Sequence, residues 1–543
     1  MNPTDPIAPH AGLNAYDFLA VGGYLLVTML IVWWSSRKQH DTEDFFLGGR
    51  RMPWLAVGLS MMATLLSTIT YLGSPGEMIK NGIGWFTGYL AIPVAMVVVL
   101  LVWIPFFMRL KMTSAYEYLE QRFDWRARLL AGVLFLLLRL GWIAMVVYTA
   151  SMAMVAMASE HLDWLLNAVG LAGTVSPIHA VIAVVGVAAT IYTCLGGMRA
   201  VIWTDVLQAF MLFGGVFLII FYVIWATGTG PVEWWAKARE ASDTHVSPIW
   251  FSFDPTVRVT LVTAMLQLFF WTICTHSADQ VVLQRYFTTA SLPAARWTYI
   301  TNTLSSVAIA ILLSLSGLAL LYFYLEHPNY LPEGLTAKSN PDKVMPYFYA
   351  HQFGYGMGGL ILVSFLCDAM QTLVSGVNSI SAIATKDVFQ RIRSAGGGNG
   401  GLTELGLARI LTVGVGLLAT ALALVLAWSQ THSDRNIVDL MPRTFNMFLG
   451  PLASLFVMGM FLPRVTARTA VLATLGAVAG SVLWSWWPEI TGSAARPTIT
   501  LAIGLPYLGG FVLAALLSLV LDSGKDHPGR AFTWRAVMRL PPV

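Results

Sequence analysis

"LSMMATLLSTITYLGSPGEMIKNGIG", residues 59–84, and "LQLFFWTICTHSADQVVLQRY", residues 266–286, are apolar enough to cross a bilayer, yet each is interrupted by polar and helix-disrupting residues. The first carries Ser67, Thr68, Thr70, Gly73, Pro75 and Gly76; the second carries Thr272, Thr275, His276, Ser277, Asp279 and Gln280. A simple anchor gains nothing from such interruptions, because backbone groups freed in hydrocarbon find no water to bond. Broken helices at corresponding positions of two halves predict an inverted-repeat transporter, whose freed backbone binds ions and solute near the midplane. The competing reading is that Gly and Pro only ease helix packing. No repeat is visible as residue identity.

The rest of the chain agrees with a membrane setting. Hydrophobic residues make up 57% of the 543 residues and charged residues 11%, with 20 Trp, which excludes an ordinary soluble globular protein. Apolar runs of bilayer length fall at 14–36, 53–79, 85–110, 127–158, 176–195, 200–226, 258–287, 298–325, 343–386, 404–428, 437–462, 466–487 and 499–522. The net charge of +4 reads as a topology signal and implies no nucleic acid. Lys and Arg concentrate in the even-numbered loops and the C-terminal tail, which predicts an inner-membrane, multi-pass chain with its N-terminus outside and C-terminus in the cytoplasm. The first 18 residues lack a basic region before the apolar run, so the first helix is expected to stay. "SAGGGNGG" (394–401) reads as a flexible cytoplasmic link and 523–543 as a short basic tail. Cys194, Cys274 and Cys367 show no metal-ligand or paired spacing and read as small core residues. The expectation is one all-α integral membrane domain.

A third stretch, "FLCDAMQTLVSGVNSISAI" (365–383), places an acid and polar groups in a membrane helix. Asp368, Gln371, Thr372 and Ser375 stand at i, i+3, i+4 and i+7 and share one face. An unpaired carboxylate there costs at least a few kcal/mol, on the order of 3, so a functional site is the default reading. Arg139, in "VLFLLLRLGWIAMVVY", reads as the only basic residue inside a span and could hold a carboxylate bidentately; pairing with Asp205 or Asp368, or snorkelling, is the alternative. His276 divides between solute contact and packing. "GYGMGG" (354–359) matches a dinucleotide pattern but follows no strand, and residues 325–343 read as an outer loop. With no metalloprotease motif or soluble catalytic module, an enzyme is not expected.

Six segments in order, "DTEDFFLGGRRMPWLAVGLSMMAT", "YLGSPGE", "YTCLGGMRAVIWTDVLQAF", "DQVVLQRY", "SGVNSISAIATKD" and "NMFLGPLASLFVMGMFLPR", resemble the solute:sodium symporter family over roughly residues 17–490. The resemblance implies a LeuT-type fold of about thirteen helices: an extra N-terminal helix at 14–36, inverted five-helix repeats at 53–226 and 258–462, two C-terminal helices at 466–522, and the tail. It also implies a sodium site between core helices 1 and 8, mapping to Ala63 and Leu66 and to Asp368, Gln371 and Thr372. Here the chain departs from the family, with Gln371 at a usual hydroxyl position and Asp368 at a usual small-residue position. Three readings of Asp368 stay open: strengthening the sodium site, titrating or pairing with a cation, or a structural acid bonded to backbone or water.

Some members hold a second sodium ion through an acid that Asp205 matches and hydroxyls of which Ser375 matches one. Val374 stands where the other is expected, so one ion is expected rather than two, and Asp205 has a gating, relay or capping role as alternative. Sugar carriers of the family show a Gln on core helix 1 and a Glu on core helix 2. Here Thr70 replaces the first, and core helix 2 has no acid, which leans toward the monocarboxylate, vitamin and anion branch. The candidate solute residues are Ser67, Thr70, Arg139, Thr272, Thr275 and His276. Asp368, one sodium ion and Arg139 would sum to +1, suiting a monoanion. The expected function is sodium-coupled import of a small organic solute by alternating access, core helices 1, 2, 6 and 7 rocking against 3, 4, 8 and 9. Sodium, the solute and the bilayer are the expected partners, with no nucleic acid and no obligatory protein. A sugar or amino-acid symporter, or a transporter-like sensor, are the alternatives.

Overall fold

The computed structural model describes residues 13–37, 42–110, 112–241, 245–331, 341–353, 356–394, 404–430, 441–493, 495–522 and 528–541. Among them the regular structure is entirely helical. In chain order the elements that matter are α1 (Ala15–Ser36), α2 (Trp54–Leu65), α3 (Thr68–Asn81), α4 (82–107), α5 (Trp125–Ala168), α6 (Pro177–Thr227), α7 (Leu261–Ala278), α8 (Gln280–Phe287), α9 (Leu292–Glu326), α10 (Pro341–Gln352), α11 (Met357–Ser394), α12 (Glu404–Gln430), α13 (Met447–Phe461), α14 (Ala467–Ser485) and α15 (Gly504–Leu521). Eleven helices among the described residues are long and apolar enough to cross a membrane, and Trp54–Leu65 and Pro177–Ile191 are shorter apolar helices. This is compatible with thirteen crossings. Large apolar side chains such as Val520 (80% exposed) and Trp225 (65%) face outward, as a lipid-facing surface requires.

Both interrupted stretches are broken helices. α2 stops at Leu66 and Ser67, whose ψ angles of 105° and 162° are extended, and α3 resumes at Thr68. α7 stops at Asp279 (ψ 115°), and the Asp279 carboxylate then accepts from the backbone N–H of Val281 at 3.0 Å, capping α8. The predicted spans 176–195 and 200–226 meet in α6 at Gly197, whose φ of 56° a side chain would oppose. The run expected at 343–386 is two helices, the short α10 and the spanning α11.

Two groups of helices pack around the breaks. α9 lies along α2 and α3, and α4 lies along α7. Gly317 of α9 permits the first contact, since a Cβ there would lie 2.7 Å from the Pro75 carbonyl oxygen. On the other side α11 packs on α5 and α6, and α12 on α6 and α11. The link at 394–401 beyond Ser394, the start of the expected span at 437, residues 332–340 and 354–355 of the outer-loop and glycine stretches, and residues 523–527 and 542–543 of the tail lie outside the described residues.

Candidate functional site

The α2/α3 break faces α11. Asp368 is 1% exposed, Gln371 is fully buried, and Thr372 is 3% exposed. Thr68, the first residue of α3, donates its hydroxyl to Asp368 Oδ2, and the Gln371 amide nitrogen donates to the Ala63 carbonyl. Three oxygens then have no hydrogen-bond partner among the described residues: Asp368 Oδ1, Gln371 Oε1 and Thr372 Oγ1. Each such buried orphan costs about 1–3 kcal/mol. Several oxygens on one helix face, beside a helix break that frees carbonyls, form the hard donor set an alkali cation takes. Ala63, expected as a carbonyl ligand, is thereby already engaged by Gln371.

One helical turn back along α2, a second cluster is finished differently. Asp205 Oδ2 accepts from Ser60 at 2.5 Å, from Thr64 at 3.2 Å and from Arg285 Nη2 at 2.9 Å. The same guanidinium donates to Ser60 (3.0 Å), Thr64 (2.5 Å), Ser375 (2.9 Å) and the Val281 carbonyl (3.0 Å). Asp205, Ser375 and Arg285 are fully buried. The structure thus joins Asp205 and Ser375, the residues expected for a second ion, through a guanidinium. It also corrects the expectation that Arg139 alone is basic inside the membrane: Arg285 lies within the run expected at 258–287, in α8, and is fully buried.

Arg139 pairs with neither Asp205 nor Asp368. Its guanidinium takes the Asp279 carboxylate, one contact being Nε to Oδ1 at 3.1 Å, and lies 5.0 Å from the centre of the Trp142 ring. The sum of +1 with Asp368 and sodium therefore does not hold, since Asp279 cancels Arg139. Asp279 carried the same signal as Asp368, an acid inside an apolar span, and its N-cap position at a helix break marked it further.

Beyond the sodium-type cluster lies a cavity of about 140 Å³ lined by the break itself, through Leu66 and Ser67, and by Thr70, Thr272 and His276. Trp85, Trp142, Trp271, Tyr299, Gln267 and Asn302 complete much of its wall. Arg139 and Thr275 are not among its lining residues, although both are buried. His276 Nδ1 meets Tyr286 Oη at 2.6 Å. A smaller cavity sharing Thr70, Trp85 and Met441 leads on through Gly73 and Glu77 to a vestibule of about 370 Å³.

There Arg258 holds Glu77 bidentately at 2.5 and 2.9 Å. Asp342, on α10 outside the spanning helices, is pushed up to about 6, mainly by burial and then by the neighbouring Glu77, with Lys80 opposing. The opposite end is closed by α8, all of whose residues are buried. Gln280 receives the Ala115 N–H at 2.8 Å, and Gln284 donates to the Phe46 carbonyl at 2.6 Å and accepts from Ser379 at 2.8 Å.

Comparison with known proteins places this geometry. The pattern of the sodium:solute symporter family matches residues 45–477. The sodium/sialic acid symporter NanT of Aliivibrio fischeri is 31% identical over 469 residues, 86% of this chain and 87% of that one. The sodium/sialic acid symporter SiaT of Proteus mirabilis is 30% identical over 486 residues, 88% of this chain and 92% of that one. A solved substrate-bound, outward-open sodium-coupled sialic acid symporter aligns with a TM-score of 0.78 and 26% identity, over 95% of this chain and 100% of that one.

Proposed function

The chain belongs to the sodium:solute symporter family, a multi-pass membrane transporter that couples solute to sodium, and from that premise we propose that it imports a small hydroxylated organic acid of the sialic acid kind with one sodium ion. The observation that carries this reading is the convergence of three unpartnered buried oxygens, from Asp368, Gln371 and Thr372, on a helix break that also walls the cavity. A cation bound there joins α11 to the α2/α3 break. Sodium thereby favours whichever conformation brings the two together, and solute binding against the same break is linked to it. Leu66 supplies a carbonyl, and Ala63 can add its own through the lone pair that the Gln371 amide does not use. Ser67, Thr70, Thr272 and His276 face the solute.

In this reading residues 53–226 and 258–462 are the two inverted repeats, flanked by 14–36, 466–522 and the tail. The α2/α3, α4, α7 and α9 group rocks against α5, the first half of α6, α11 and α12. The vestibule face, which holds the start of α1, is the outside of the inner membrane, and no obligatory protein partner is needed. A sialic acid is both an acid and a polyol, so the anion and sugar alternatives meet in one solute class. A neutral polyol is the second reading, favoured by one observation: among the described residues none that lines the central cavity is Lys or Arg.

Uptake of radiolabelled sialic acid into proteoliposomes tests both. Accumulation should require an inward sodium gradient, fail with potassium in its place, and be competed by other sugar acids. Accumulation that persists without sodium removes the coupling; competition by neutral sugars but not acids selects the second reading. Binding of solute with no accumulation under any gradient would favour a sensor.

A further inference from the structure

His276 and Tyr286 stand on opposite sides of the α7/α8 break and meet through imidazole Nδ1 and phenol Oη at 2.6 Å. His276 lines the central cavity, whereas Tyr286, fully buried, is not among its lining residues. The side chains of this pair have no further hydrogen-bond partner among the described residues. Neither the sodium-type cluster nor the Asp205–Arg285 cluster includes them.

The contact can form in two ways. If Nδ1–H donated to Oη, with the ring neutral or charged, the phenolic proton would be left buried without an acceptor, and an unsatisfied buried donor is the costlier outcome. If Oη–H donates to Nδ1, the phenolic proton is satisfied. A neutral imidazole carries a single N–H, so accepting at Nδ1 fixes that proton on Nε2, at the ring edge turned away from Tyr286. The ring is further held by Tyr299, whose ring meets it edge to face at 4.8 Å between centres. Tyr299 Oη, Asn302 Oδ1 and Trp142 Nε1, all on residues of the cavity wall, are without partners among the described residues.

We propose that Tyr286 is a specificity-positioning residue: by donating to Nδ1 it makes His276 an Nε2–H donor toward the cavity. The site therefore selects a solute that offers a carboxylate or hydroxyl oxygen at that point, and disfavours one that offers an ammonium or amide N–H there. This rests on the reading of the cavity as the solute site. It supplies a neutral donor for an anion in a wall whose described residues include neither Lys nor Arg.

The tautomer can be observed without any solute. In protein labelled with nitrogen-15 histidine and reconstituted in lipid, solid-state NMR should show the resonance that disappears in His276→Gln as protonated at Nε2 and bare at Nδ1. Tyr286→Phe, which keeps the ring and loses the hydroxyl, should turn it into a mixture of tautomers. A protonated Nδ1 in the unsubstituted protein overturns the proposal.

In sialic acid uptake, Tyr286→Phe should raise KM about two- to threefold, because a mixture of tautomers leaves only part of the protein with the donor facing the solute, with Vmax unchanged. In a His276→Gln background the same substitution should add nothing. An unchanged KM, or an equal effect in both backgrounds, also overturns it. Absence of sialic acid uptake by the unsubstituted protein counts against the solute assignment and leaves the tautomer measurement to decide this proposal.

Discussion

Two buried polar clusters share α2 and α11 and are about one helical turn apart on α11, yet their charges are met in opposite ways. At Asp368, Gln371 and Thr372 the protein leaves oxygens without partners. At Asp205 and Ser375 it supplies its own cation, the Arg285 guanidinium, which donates five hydrogen bonds. Asp205 Oδ1 is also without a partner, so the contrast is one of charge: the Asp205 carboxylate faces a tethered guanidinium that holds the helices together, whereas no Lys or Arg among the described residues bonds to the Asp368 carboxylate, which is left open to a mobile cation. The difference also bears on stoichiometry, because a sodium ion at Asp205 would have to displace a guanidinium fixed on three elements.

The sharpest way to break the comparison is Arg285→Gln. It leaves Asp205 as a buried charge without compensation, so thermal unfolding in detergent should show a loss of about 3–5 kcal/mol, with most of it recovered in Arg285→Gln/Asp205→Asn. A variant as stable as the parent would mean the cluster is not held by its own cation. The same expectation, somewhat smaller, applies to Asp279→Asn, which strands Arg139. If Arg139 instead anchored the solute, that variant would keep both its stability and its uptake, and Arg139→Gln would lose uptake.

Asp368→Asn tests the open cluster. Removing a charged ligand should weaken half-saturation by sodium roughly ten- to a hundredfold, corresponding to ~1.5–3 kcal/mol. Thr372→Ala removes one neutral oxygen and should weaken it by about fivefold, ~1 kcal/mol. Sodium titration of uptake reads both, and an unchanged half-saturation in both would place the ion elsewhere. Activation in the parent should follow a single-site curve.

The smallest effect lies in the vestibule. Burial and Glu77 push the Asp342 carboxyl up from 3.8 to about 6, so the folded protein holds this proton more tightly than the unfolded chain does. Its contribution to stability is therefore full below the ordinary carboxylate value and lost as pH rises toward 6, with no further change above. Asp342→Asn should be free of that loss, and melting temperatures at pH 4, 5, 6 and 7 should separate the two proteins increasingly up to 6 and by a constant amount beyond. Parallel curves across the whole range would remove Asp342 from the account.

What the chain determined by itself was local. Apolar run lengths set the membrane class, and the polar and helix-disrupting residues at 67–76 and 272–280 marked two helices as interrupted without fixing the point, since α2 and α3 separate at Leu66 and Ser67 while Gly73, Pro75 and Gly76 lie inside α3. Spacing on α11 put Asp368, Gln371, Thr372 and Ser375 on one face, because 3.6 residues per turn admits no other arrangement in a helix. What faces that surface was decided only by tertiary packing. Arg139 and Asp279 are 140 positions apart and Arg285 and Asp205 are 80 apart, so no periodicity pairs them. Arg285 was overlooked as a buried cation because it stands two residues from the end of the run 258–287, where composition cannot separate a buried helix terminus from a loop. A charge in a membrane must find a partner; which partner depends on which helices touch, and that is a property of the whole fold.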